Sequence, residues 1–313
     1  MTSTFPLLAL PINAAKKVFE HVEIIELIIL STRSTRTKHL VKSVKLPVPR
    51  IEFNAHLGCT IALSPRGDIL FGLSEPEIDS LVPSTLRIRL NFSDAPSYFR
   101  KPGFFVREWL EHFMCIFNQP LVEARFGLSQ FSRYTLEEAC KLLGGLTIGR
   151  LSMYENAGEI IKRFPVMDTL HVNKSDLEPD LSEDFIKKIL IGNIRSVELM
   201  RAIPLDLNTL LMMNTIDVIS NQSLLTNKEL NTFLKLWLKG SNPNLQKLHL
   251  RYLGLHHRTF DKNVILKGIK HEEVNEEDFV LMNTGPIHYI KKRDGTLAQV
   301  YFDFPRFYLR TRP

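Results

Sequence analysis

Arg150-Leu151-Ser152-Met153, Thr169-Leu170-His171-Val172, Ser196-Val197-Glu198-Leu199, Thr215-Ile216-Asp217-Val218 and Lys247-Leu248-His249-Leu250 are five returns of one pattern, x-apolar-x-apolar. Alternation with period two is what a strand with one buried face requires. The second positions of successive copies are spaced by 19, 27, 19 and 32 residues, and helical patterns fill the gaps: Ala157 to Phe164, Leu181 to Leu190 with Ser182 as its cap, Leu205 to Met213, and Thr226 to Lys239. The last is the most fully written. Thr226 and Glu229 form a capping box, Leu230, Phe233, Leu234 and Trp237 make an apolar stripe, and Gly240 supplies a left-handed stop, so Trp237 is expected in the core.

One strand and one helix per unit, at these spacings, is the grammar of an irregular leucine-rich-repeat-like α/β solenoid. In its strands the apolar residues point inward and their neighbours project from the open face. Ser152, His171, Glu198, Asp217 and His249 therefore stand in one row, as candidates for binding a target protein. Two histidines beside two carboxylates also suggest a metal or a general acid and base. Adjacent strands stand about 4.8 Å apart, however, so the row is spread over several spacings and does not converge on an ion.

Upstream the organisation differs. Residues 51 to 63, 69 to 73 and 85 to 92 alternate as half-buried strands, residues 103 to 117 put Phe105, Trp109, Leu110, Phe113 and Phe117 on one helical face, and a capping box of Thr135 with Glu138 opens a short helix ending near Gly144-Gly145. Aromatic residues at helical spacing are assigned to packing. Near the other end, Asp294-Gly295 reads as a type I′ hairpin turn.

The N-terminal segment runs Phe5-Pro6-Leu7-Leu8-Ala9-Leu10-Pro11, then apolar pairs at Ala14/Ala15 and Val18/Phe19, then Ile24 to Ser31, then a basic run through Arg33, Arg36, Lys38, His39, Lys42 and Lys45 before Pro47-Val48-Pro49. Its apolar spacing predicts short amphipathic helices. At roughly forty residues it cannot bury a core alone, so its surplus apolar surface calls for a partner. The basic run has two readings, a solvated face or a positive surface that steers docking onto an acidic partner.

This segment resembles an F-box, with Leu10-Pro11 opening the first helix, Val18 and Phe19 on its buried face, Leu27 and Leu30-Ser31 on the second helix, and Leu40-Val41 closing the third. The stretch Leu205 to Leu250, with Leu210-Leu211-Met212-Met213-Asn214, Phe233-Leu234-Lys235-Leu236-Trp237 and Gly240-Ser241-Asn242-Pro243, resembles the type 2 F-box-associated domain abundant in nematodes. Ile12-Asn13 stands where many F-boxes carry an acidic residue, and the tryptophan common late in the third helix is absent. The resemblance implies a Skp-family adaptor bound through Leu10, Pro11, Val18, Phe19, Leu27, Leu30, Ser31, Leu40 and Val41, and through it a cullin. It also implies the substrate-recognition role in a ubiquitin ligase, non-catalytic itself.

The expected organisation is α+β: a three-helix F-box over 1–46, a mixed connecting region over 47–145 that could open the solenoid, and a target-binding domain over 146–313. The chain has 313 residues, 44% hydrophobic and 24% charged, enough for a sizeable core. Cys59, Cys115 and Cys140, odd in number and far apart, form neither a disulfide framework nor a metal pattern, and read as small buried residues of a cytoplasmic or nuclear protein. No membrane span is expected, since Glu26 interrupts the strongest apolar run, and the N-terminus imitates a secretory signal only superficially. The net charge of +6 is dispersed rather than gathered into a patch, which disfavours nucleic acid as the partner. No nucleophile elbow, Cys/His dyad or HExxH occurs, and no cofactor is expected. A leucine-rich interaction scaffold without ligase coupling is the alternative.

Overall fold

The computed structural model describes residues 10–46, 50–55, 58–62, 70–73, 85–89, 97–127, 132, 134–173, 183–200, 205–221, 223–252, 259–274, 286–303 and 305–312. The chain divides into two compact units, Met1–Gly149 and Arg150–Pro313.

The first unit opens with α1 (Ile12–Phe19), α2 (Ile24–Ser31) and α3 (Thr35–Val44). Pro11 stands ahead of α1, where a missing N–H costs no helical bond, and its carbonyl accepts from Ala14 and Ala15 at 3.0 and 2.9 Å. Ser34 and Thr37 cap α3 reciprocally: the Ser34 hydroxyl accepts from the Thr37 N–H at 3.1 Å and the Thr37 hydroxyl from the Ser34 N–H at 3.0 Å. Phe19, Leu27, Ile28, Leu40 and Val41 are buried.

Three short helices cannot enclose these side chains alone, and part of the cover comes from this chain itself. Residues further along fold as β1 (Arg50–Asn54), β2 (Gly58–Ala62), β3 (Leu70–Leu73), β4 (Thr85–Arg89), β5 (Ser97–Arg100), α4 (Val106–Ile116), β6 (Leu121–Phe126) and α5 (Leu136–Leu143). Helix α4 packs against α3, β1 and β2. Ser31 Oγ lies 2.7 Å from His112 Nε2, and Asn118 Nδ2 donates to the Lys42 carbonyl at 3.2 Å. The surplus apolar surface expected of the N-terminal segment is thus partly met by α4. Trp109 and Phe113 are fully buried, their rings stacked at 5.3 Å, and Thr135 with Glu138 forms the expected capping box.

Residues 51 to 63, which alternate like one strand, form two: β1 and β2 pair antiparallel from Arg50↔Ala62 to Asn54↔Gly58. Strand β1 also pairs with β6 in parallel, while β3, β4 and β5 make a separate antiparallel sheet. Strand β6 escapes the sequence reading although Leu121 to Phe126 alternates strictly between half-buried and buried.

The second unit begins within β7 (Thr147–Met153) and continues with α6 (Ala157–Arg163), β8 (Thr169–Val172), α7 (Glu183–Leu190), β9 (Ser196–Leu199), α8 (Leu207–Met212), β10 (Asp217–Ser220), α9 (Asn227–Leu238), β11 (Lys247–Arg251), α10 (Lys262–Ile265), β12 (His271–Val274), β13 (Ile287–Lys291), β14 (Leu297–Asp303) and β15 (Arg306–Thr311). Strands β7 to β11 pair in parallel, each beside its predecessor. Right-handed crossovers between sequential parallel neighbours put every connecting helix on one side. This strand-helix repetition is solenoid-like at the coarse level. The proposed cap Ser182 lies outside the described residues, and the helix at Leu205 to Met213 is shorter, starting after Asp206, whose carboxylate accepts the Thr209 N–H at 2.7 Å.

Beyond β11 the repetition stops. The strand order becomes β11-β15-β14-β13-β12, all antiparallel, so the last repeat is covered by a meander. Helix α9 is capped as expected, Gly240 has φ 111°, and Trp237 is fully buried. The β13–β14 hairpin turns differently from the expected type I′. A type I′ turn needs positive φ at both central residues, and here only Gly295 has it, at 93°. Asp294 Oδ1 accepts the Thr296 N–H at 2.9 Å, Gly295 N–H bonds to the Lys292 carbonyl at 3.1 Å, and Lys292 N–H bonds to the Thr296 carbonyl at 2.9 Å. That is a turn followed by a left-handed glycine bulge, with one more loop residue than a two-residue hairpin allows.

Candidate functional site

Two surfaces carry the residues singled out by sequence. On the helical module, Phe19, Leu27, Ser31, Leu40 and Val41 are buried inside the first unit, Leu10 and Leu30 are half-buried, and Pro11 and Val18 are exposed. Ile12, absent from that set, is 66% exposed, the most open of the large apolar side chains in α1 to α3. It sits at the first helical position, beside Pro11. The accessible apolar rim is therefore Leu10, Pro11, Ile12, Val18 and Leu30. The buried five set the spacing and angle of the helices that present it. Arg36, His39 and Lys42 of α3 are exposed as well.

His112 explains how the module is held. Ser31 Oγ donates to the Ile28 carbonyl at 2.6 Å. Its single proton is then spent, so the imidazole Nε2 must be the donor across the 2.7 Å contact. Burial, and then Lys38 and Lys101, push the His112 pKa down to about 4, leaving a neutral ring at pH 7.

The second surface is the open face of the parallel strands. Register places Ser152 opposite His171 and His171 opposite Glu198. The next residue in this row is Ile219, then His249, Tyr308 and Tyr301. Asp217 does not join it. Strand β10 begins at Asp217 rather than at Thr215, two residues later than the fourth x-apolar-x-apolar copy supposes. A slip of two keeps Asp217 on the open face but moves it one row along, between Ser196 and Lys247. Ser152 is buried and the other members are half-buried.

The row is tied together laterally. Glu198 takes Arg150 at 2.9 Å and stands 3.7 Å from His171 Nδ1, while Asp217 is 3.4 Å from Lys247 Nζ. Among the described residues no group of three metal-ligating side chains occurs. Cys115 and Cys140 are half-buried rather than buried. No helix among the described residues is long and apolar enough to cross a membrane.

The candidate row read from sequence stops short of the aromatic end of this face, and the tail Phe304 to Pro313 is only the next candidate for target binding after it. His249 stacks on Tyr308 at 4.2 Å and Tyr308 on Tyr301 at 4.3 Å. Arg306 reaches the Tyr308 hydroxyl at 3.4 Å, and the Arg312 guanidinium lies 4.7 Å over the Tyr289 ring. Burial, followed by Arg306 and Arg251, pushes the His249 pKa down to about 4. The available signal was alternation in Arg306-Phe307-Tyr308-Leu309-Arg310, which puts arginine and tyrosine together on one side of a strand.

Comparison with known proteins agrees with this geometry at both ends of the chain. Residues 7–48 match the F-box domain, and residues 185–250, spanning α7 to β11, match the F-box associated family. The chain thus carries both domains. It is also 24% identical over 307 residues to the F-box associated domain-containing protein sdz-33 of Caenorhabditis elegans, a match covering 96% of this chain and 95% of that relative. No solved structure matches it.

Proposed function

We propose that the chain is a substrate-recognition subunit of a Skp-cullin-F-box ubiquitin ligase. The helical module holds a Skp-family adaptor, and through it a cullin, while the open face of the second unit holds a target protein. A lysine of the target is presented to a ubiquitin-charged enzyme recruited elsewhere in the assembly. This chain supplies effective concentration and orientation; its partners supply the chemistry. The observation that carries the reading is the pairing in one chain of an F-box, with the open apolar rim Pro11, Ile12 and Val18, and an F-box-associated strand-helix array.

Adaptor binding is tested by replacing Leu10 and Pro11 together with alanine. Co-purification with a Skp-family adaptor should be lost while the melting of the second unit is unchanged, because neither side chain is fully buried and both border the rim. Undiminished binding sinks the F-box reading. Target binding is tested by His171→Ala with Glu198→Ala. Both are half-buried on the open face, and truncation there should reduce a co-purifying target roughly tenfold and leave adaptor binding intact. Retention of the target by a stably folded variant would remove this half of the face from the interface.

A second reading, an interaction scaffold without ligase coupling, is favoured by the Ser31–His112 contact and the packing of α3 on α4, since part of the module's surface is already used within this chain. A wild-type chain that captures a target but no adaptor would decide for it.

A further inference from the structure

We infer that the β11–β15–β14 end of the open face docks an acidic, extended peptide segment of the target protein. This rests on the open face being the target surface and names the chemistry it takes. Arg306, Tyr308 and Arg310 occupy alternate positions of β15 and project from that face. The repeat of same-face residues along a strand is about 7 Å, which is also the repeat of alternate side chains in an extended peptide, so carboxylates at alternate positions meet the guanidiniums in register.

The charge balance favours such a partner. Arg251 stands opposite Arg306 across the β11–β15 pair, a like-charge neighbourhood that an incoming carboxylate relieves. Asp303 lies 3.5 Å from Arg306, but no carboxylate among the described residues lies within salt-bridge distance of Arg251 or Arg310, and the Arg251 Nε is buried without a hydrogen-bond partner. Glu272 stands beyond them, opposite Tyr289 at the far edge.

Ring geometry decides against nucleic acid. A single-stranded base needs an aromatic face to stack on. Here the rings of His249, Tyr308 and Tyr301 lie face to face, with interplanar angles of 23° and 12°, so the inner faces are already taken. The phenolic hydroxyls and guanidiniums beside these rings are donors to carboxylates.

The test uses the full-length chain and a fluorescein-labelled peptide of alternating glutamate and serine, read by anisotropy, with a lysine-serine peptide and an oligothymidylate of matched charge as comparisons. The glutamate peptide should bind saturably, the lysine peptide should not, and affinity should fall as salt rises. Arg306→Glu with Arg310→Glu should weaken binding at least roughly tenfold, and the milder Arg310→Ala, at an exposed position, should weaken it measurably should the double variant fail to fold. Absence of glutamate-peptide binding, indifference to the arginine variants, or tighter binding of the oligothymidylate would overturn the inference. If the glutamate peptide fails while His171→Ala with Glu198→Ala still loses a co-purifying target, the acidic class is wrong and the target-face reading stands. If that variant keeps its target as well, both fall.

Discussion

Trp237→Ala lowers the melting temperature of the second unit by on the order of 10 °C, because truncating a fully buried tryptophan costs about 3 to 5 kcal/mol in lost contacts and cavity. Trp237 is completely enclosed and closes the stripe of α9 with Leu230, Phe233 and Leu234. Its ring also carries a charge. Lys292 Nζ lies 4.4 Å from the ring centroid, and Lys292 is itself only 7% exposed. The next residue ties the hairpin to the same helix, Arg293 N–H bonding to the Leu238 carbonyl at 3.2 Å. Removing the ring leaves a desolvated ammonium without the π face that offsets its burial, so the β13–β14 hairpin loosens along with the cavity. Trp237→Phe keeps part of both terms and should cost much less. Lys292→Met, which removes the buried charge and keeps the stem, should be neutral or stabilising. The chain has two tryptophans, and the other, Trp109, lies in the first unit, so its fluorescence in Trp237→Ala reports whether that unit still melts normally. An unchanged transition of the second unit would mean that α9 does not hold the solenoid together.

The capped helices were legible because their signals are local. Thr226 with Glu229 and Thr135 with Glu138 are reciprocal boxes that need no tertiary context, and both stand where the sequence puts them. Four of the five strand copies are in register for a related reason: strict alternation leaves one choice of buried face. The fourth copy failed because Ser220, fully buried, takes the inward position where the pattern calls for an apolar residue, while Ile216, just ahead of the strand, satisfies it. A signal that could have resolved it stands just outside the strands. Asn193, Asn214 and Asn244 each precede a strand start by three residues, and in the structure they are linked, Asn214 Nδ2 donating to Asn193 Oδ1 at 3.1 Å and Asn244 Nδ2 to Asn214 Oδ1 at 2.7 Å. Anchoring on Asn214 puts the strand start at Asp217. The cover over the F-box helices was illegible for a different reason: Ser31 meets His112 across 81 positions, and such a pairing leaves no periodic trace in the chain. In β15 the alternation of arginine and tyrosine was there to be read, but the stacking of Tyr301 on Tyr308 depends on the β14–β15 pairing.

That last contact makes the first unit sensitive to acid. The folded-state pKa of His112 is about 4 against an ordinary value of 6.5, with burial the largest cause and Lys38 and Lys101 adding to it. A histidine depressed on folding contributes its full stability above the unfolded value, where both states are neutral. As pH falls from 6.5 toward 4 the unfolded chain takes up the proton and the folded chain does not, so stability is lost across that window, by roughly 3 kcal/mol in total. Protonation also adds a donor at Nδ1 and a positive charge near Lys38 and Lys101, with the T-shaped Trp109 and Phe104 rings as its neighbours. Carboxylates titrate in the lower part of the window too, so the informative quantity is the difference between two proteins rather than one curve. In a Trp237→Phe background, Trp109 alone reports the first unit, and urea unfolding followed by its emission at pH 7 and near pH 5 gives the slope. His112→Gln retains an N–H that can donate to Ser31 Oγ but does not titrate. It should be somewhat less stable at pH 7 and lose distinctly less on acidification. Parallel loss in the two proteins would mean that His112 is hydrated in solution, and the direct Ser31–His112 contact would then have to be abandoned.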